Sequence, residues 1–108
     1  MQMINTIGVI GAGSVGSALI SFLCPAYKDN FYLLATGSRA GRLRDNGISV
    51  NNQTLKPQVY SDPGQNVSLD LLLIVVKSYS LDQVIEDIRP LISSNTILLP
   101  LLNGITAT

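Results

Sequence analysis

The chain has 108 residues, 46% of them hydrophobic and 13% charged, with seven basic and seven acidic side chains that cancel. That composition fits one globular domain and excludes a disordered chain. Although Arg39, Arg42 and Arg44 cluster, the balanced charge leaves no basic stripe for nucleic acid or an anionic membrane. A single cysteine, Cys24, rules out an internal disulfide and has no histidine to activate it, so it reads as a small buried hydrophobe. No apolar run reaches the ~18–20 residues of a membrane span. The N-terminal stretch also lacks the charge of a signal peptide, which predicts a cytoplasmic protein.

Thr6–Ile10 reads as a first strand. It runs into Gly11-Ala12-Gly13-Ser14-Val15-Gly16, after which Val15, Leu19, Phe22 and Leu23 mark a helical stripe that Pro25 should close. Phe31–Ala35 is a continuous apolar run, the pattern of a strand buried on both faces. A short polar helical turn over about Arg39–Asn46 stops at Gly47. Ile48–Val50 and Leu55–Tyr60, separated by Asn51-Asn52-Gln53, predict a minor hairpin or edge pair that Pro57 keeps from the sheet centre.

Leu71–Val76 is the strongest strand signal, and Asp70 marks its start. Ser80-Leu81-Asp82-Gln83 matches a capping box for a helix with Leu81, Val84, Ile85 and Ile88 on its apolar face, ended by Pro90. Thr96–Leu99 predicts a last strand that reaches Asn103-Gly104 through Pro100. Strands alternating with helices imply an α/β domain over residues 1–108. Its sheet should be mostly parallel and Rossmann-like, with helices on both faces.

A strand, a G-x-G-x-x-G turn and a helix in that order are what a dinucleotide pyrophosphate needs. Gly11 allows the tight turn, Gly13 lets the backbone approach the phosphates, and Gly16 lets the helix pack on the strand. Ala12, Ser14 and Val15 would then lie along the phosphates, which meet the unpaired N–H groups of the helix start. A turn with tight helix packing could also demand these glycines, but their place after a strand and before a helix favours nucleotide binding.

Ligands on such sheets bind beyond the carboxyl ends of the strands. That rule nominates Thr36 to Arg39, Lys77 with Ser78, and Asn103 with Gly104. An NAD site places a carboxylate at the end of the second strand, whereas residues from Ala35 to Ala40 contain none. The hydroxyls of Thr36 and Ser38 and the guanidinium of Arg39 instead suit a 2′-phosphate, favouring NADP. Arg42 could substitute for Arg39. Lys77 could reach the nicotinamide ribose or a substrate carbonyl, or stand in solvent. Asn103 could donate to a substrate oxygen, or Asn103-Gly104 could simply turn the chain.

These elements together carry a resemblance. The loop Gly11–Gly16, Asn46-Gly47 after a short helix, Val75-Val76-Lys77 and Leu102-Asn103-Gly104 follow in an order that resembles the N-terminal domain of ketopantoate reductases (2-dehydropantoate 2-reductases). The resemblance implies an NADPH-binding domain of a two-domain enzyme that reduces ketopantoate to pantoate in pantothenate and coenzyme A biosynthesis. By position, Lys77 is similar to the family lysine that contacts the cofactor and helps at the active centre. Asn103 is similar to the asparagine near nicotinamide and substrate. The family often has Arg where this chain has Thr36.

The family's helical C-terminal domain, with the lysine that donates the proton, has no counterpart in these residues, so the chain alone should turn over little substrate. The apolar last strand would face that domain, a second copy in a homodimer or a separate helical chain. Two rival readings are a dinucleotide-sensing regulatory module and the cofactor domain of another NADP-dependent hydroxy- or keto-acid oxidoreductase.

Overall fold

A computed structural model describes residues 4–11, 13–50, 52–76 and 81–102. In chain order these form β1 (Ile7–Gly11), α1 (Gly13–Tyr27), β2 (Phe31–Leu34), α2 (Gly37–Asn46), β3 (Ile48–Val50), β4 (Gln53–Leu55), β5 (Gln58–Tyr60), β6 (Leu71–Val76), α3 (Leu81–Ile88) and β7 (Ile97–Leu102). The main sheet has five strands in the order β5-β2-β1-β6-β7, and every pair in it is parallel. Numbered by its own strands that order is 3-2-1-4-5, the arrangement of a Rossmann-like sheet.

The alternation of side chains along each strand builds two cores. Ile7, Val9, Phe31, Leu33, Leu73 and Val75 point to one face, where Ile20 of α1 is completely buried against them. Leu34, Tyr60, Leu72 and Ile74 point to the other, under Ile88 of α3 and Leu91. Helices therefore cover both faces, as uniformly apolar strands require. Full burial of a side chain such as Ile20 is worth roughly 1.5–3 kcal/mol, so α1 is held by packing more than by propensity. Asp70 ties down the start of β1, its carboxylate accepting the backbone N–H groups of Asn5 at 2.8 Å and Thr6 at 3.1 Å.

Several expected boundaries shift. Pro25 lies inside α1. It removes a hydrogen bond to the carbonyl four residues back, but it sits exposed in the last turn, where that loss is absorbed toward water. Phe22 is 76% exposed, so the stripe drawn through it is not the buried one. Ile20, Leu23, Cys24 and Tyr27, at the i, i+3, i+4, i+7 spacing, pack on the core instead. Cys24 is half-buried, and burial pushes its thiol pKa up, consistent with an apolar role.

The segment Leu55–Tyr60 is not one strand. β3 pairs antiparallel with β4, while β5 joins the edge of the main sheet beside β2. Lys56-Pro57 separates them, since Pro57 lacks the N–H that a continuous ladder needs. β7 runs through Pro100 to Leu102. Proline is tolerated there because the strand pairs with β6 alone, and an edge leaves one row of backbone groups without partners. The expected capping residue Ser80 lies outside the described residues.

Candidate functional site

The direction of strand order reverses between β1 and β6, which opens a crevice at their carboxyl ends. Gly11 ends β1 there, opposite Val75 of β6. Its φ is +117°, a conformation L side chains rarely adopt, and a Cβ on it would overlap the Val75 carbonyl oxygen and lie 3.2 Å from the Val75 Cβ. Conformation and space thus both demand glycine here. Two residues later Gly13 begins α1, whose first turn holds no acidic residue. The unpaired N–H groups of that turn follow directly on the glycine turn. Gly13, Ser14, Val15 and Gly16 all lie in the first turns of α1, whereas Ala12 lies outside the described residues.

At the end of β2 the chain makes a second, separate turn. The Ala35 N–H donates to the Tyr60 carbonyl across to β5 at 3.3 Å. Thr36 is the extended N-cap of α2 (φ −131°, ψ 161°), and its hydroxyl makes no cap hydrogen bond. Gly37 then turns the chain with φ +62°. The helix thus begins two residues before the expected Arg39, because an extended Thr36 followed by a glycine suits its start. Thr36, Ser38 and Arg39 are exposed at this end.

The only carboxylate of α2, Asp45, lies in its last turn, so no acidic group stands where a ribose ligand would. Arg44 donates to the Ser61 hydroxyl at 2.6 Å, anchoring one flank of α2 beside β5. Arg39 is five positions earlier, about 140° around the helix, and is exposed. Arg42 is about 60° from Arg39 around the same helix.

β6 and β7 end at the same level, Val76 opposite Leu102. Lys77 with Ser78 and Asn103 with Gly104 are the residues next in the chain, but all four lie outside the described residues. The structure therefore brings together the glycine turn, the start of α2 and the two strand ends that precede Lys77 and Asn103. Sequence reasoning missed Gly8, within β1. A Cβ there would lie 2.7 Å from Leu34 Cδ1 and 3.2 Å from both Leu69 methyls. A glycine inside an apolar strand run is the signal that could have found this close approach. Among the described residues there is no group of three or more His, Cys, Asp or Glu placed to hold a metal, and no helix is long and apolar enough to cross a membrane.

The sheet order and the Gly11 turn define a Rossmann-type domain. More narrowly, residues 7–108 match the family model described as ketopantoate reductase PanE/ApbA, and the chain belongs to that family. It is 34% identical over 100 residues to the uncharacterized oxidoreductase YkpB of Bacillus subtilis (strain 168), covering 89% of this chain and 32% of that protein. It is 27% identical over 105 residues to a 2-dehydropantoate 2-reductase of Lactococcus lactis subsp. lactis (strain IL1403), covering 92% of this chain and 34% of the relative. Among solved structures it is similar to a complex of D-mandelate dehydrogenase with NADH, at TM-score 0.69 and 26% identity, over 94% of this chain and 32% of the other. The chain spans about a third of the length of the curated relatives it matches.

Proposed function

We propose that the chain is the cofactor-binding part of an NADPH-dependent reductase of 2-dehydropantoate. Gly11 carries this reading: a glycine required by both φ and space, at the switch point and directly before a helix start, is what a pyrophosphate needs. Thr36, Ser38 and Arg39 would take the 2′-phosphate, since no carboxylate occupies the start of α2 and a planar guanidinium suits a phosphate. Arg42 would be their second basic neighbour.

A bound dihydronicotinamide supplies the hydride to the 2-keto carbonyl. Lys77 would polarise that carbonyl and Asn103 would hold a substrate oxygen, both at the ends of neighbouring strands. Ile97 and Leu99, 48% and 46% exposed on β7, would face the part of the relatives' length that lies beyond this match, or a second copy. The relatives named 2-dehydropantoate 2-reductase are about three times as long, so these 108 residues alone are expected to bind NADPH and to turn over ketopantoate negligibly.

A second reading rests on the likeness to a D-mandelate dehydrogenase complex with NADH: a cofactor domain that takes NADH and serves another 2-hydroxy or 2-keto acid. Calorimetric titration with NADPH and NADH separates the two. The NADP reading expects tighter NADPH binding that Arg39→Ala weakens about tenfold, the loss of ~1.4 kcal/mol. Equal affinities for NADPH and NADH would overturn it.

A further inference from the structure

Helix α2 carries the candidate 2′-phosphate ligands in or just before its first two turns, yet few side chains hold it to the sheet. Ala40, 3% exposed, is the one residue of the helix that is buried. It packs against Ala35 at the end of β2 and Val59 of β5, with half-buried Leu43 beside them. Ala40 and Leu43 are three residues apart and so share one face. Arg44, on the flank, adds its exposed hydrogen bond to Ser61.

The chain that enters the helix does not fix it. Thr36 is extended, and its hydroxyl caps nothing. Gly37 has φ +62°, and a Cβ on it would meet nothing within 4 Å. Glycine is conformationally free at such a position, so the turn can follow wherever the helix lies. The floor under Ala40 is fixed by contrast. Leu33 and Leu34 pair with Val59 and Tyr60, and the Ala35 N–H extends that ladder to the Tyr60 carbonyl at 3.3 Å.

The separation of packed elements follows the size of the side chains between them. An alanine set on an alanine and a valine therefore lets α2 lie close to the sheet edge. A step of about 100° per residue then puts Arg39 on the flank of the helix, and Ser38 and Arg42 on the side away from the sheet. All three are exposed there.

We propose that Ala40 is a positioning residue for the cofactor's 2′-phosphate, an inference that rests on the NADPH reading above. Its methyl group sets how closely the first turn of α2 approaches β2 and β5, and so where Thr36, Ser38 and Arg39 stand at the carboxyl edge. It acts through its neighbours in the chain and not by contact with the cofactor. A larger side chain shifts the backbone, here by lifting the helix about Gly37 and carrying those three residues out of place. The Gly11 turn rests on Val75 of β6 instead, so NADH, which has no 2′-phosphate, binds as before.

Affinities of the full chain for NADPH and NADH, measured by calorimetry alongside urea unfolding, test this role. The parent protein should prefer NADPH. Ala40→Val should lower that preference about threefold to tenfold, through NADPH alone. Val59→Ala should lower the urea midpoint, because it leaves a cavity, and yet keep the preference. The double variant Ala40→Val with Val59→Ala exchanges the two side chains at constant volume and should restore it. Where Ala40→Val does not fold, Val59→Ile adds a methylene to the floor and should lower the preference in the same direction. Absent NADPH binding, or equal affinities in the parent, would overturn the NADPH reading and this inference with it. If the parent prefers NADPH, the positioning role alone is overturned by any of three results: Ala40→Val keeps that preference, Val59→Ala lowers it as much, or the exchange fails to restore it.

Discussion

The ends of β1 and β2 solve different problems although they sit side by side at one sheet edge. At the end of β1 the backbone decides: Gly11 has φ +117° and no room for a Cβ against Val75. At the end of β2, Gly37 also has positive φ, but a Cβ there would meet nothing within 4 Å, and Thr36, Ser38 and Arg39 are exposed. On the proposed reading, capacity to hold a pyrophosphate would be built into a turn that stability itself protects. Choice of dinucleotide would be left to side chains that packing does not constrain. The first should resist change, and the second should change without cost to the fold.

Gly11→Ala should break the β1 end outright. Strain and overlap together are expected to cost about 2–4 kcal/mol of stability, read by urea unfolding, and to abolish measurable NADPH binding. Gly8→Ala sharpens the contrast from within the same strand. Its Cβ would crowd the buried Leu34 and Leu69, which should cost about 1–2 kcal/mol while leaving NADPH affinity within a factor of about two at temperatures where the variant is folded. Unchanged stability in Gly8→Ala would show that this strand has slack the structure does not display.

Arg39→Ala is the converse. It should lower NADPH affinity about tenfold, leave NADH unchanged, and keep stability within about 0.5 kcal/mol, as expected for a surface position. A large loss of stability would mean that the β2 end is structural after all.

The smallest effect lies away from both turns. Tyr60 and Cys24 have folded-state pKa values raised by burial above the ordinary 10.0 and 9.0. The folded state then holds protons that the unfolded state has released, so stability is fully present below those ordinary values and falls as pH rises through them. Tyr60→Phe should flatten the fall above about pH 10 in chemical denaturation, relative to the parent protein.

The two turns also differ in how far they could be read from sequence. Gly11 was legible because strand, glycine spacing and helix all point to one geometry. The uniform apolar runs of β2 and β6 likewise announced a parallel sheet. Prolines misled, because their effect depends on what lies beside them. Pro25 reads as the end of α1, yet solvent beside the last turn absorbs it; the last strand, expected over Thr96–Leu99, takes in Pro100 as well because the open edge of β7 tolerates it. Pro57 instead splits one apparent strand between two sheets, since each half finds a different partner. The stripe through Phe22 failed because α1 offers two apolar stripes and only tertiary packing selects the one through Ile20.

The claim that the carboxyl edge divides holding from choosing is tested most directly by amide shift mapping with NADPH and then NADH. NADPH should move Gly11, Gly13 and Gly16 together with Gly37, Ser38 and Arg39. NADH should move the glycine turn alike and the start of α2 much less. Saturable shifts by either dinucleotide that spare Gly11 and gather elsewhere would contradict the assignment.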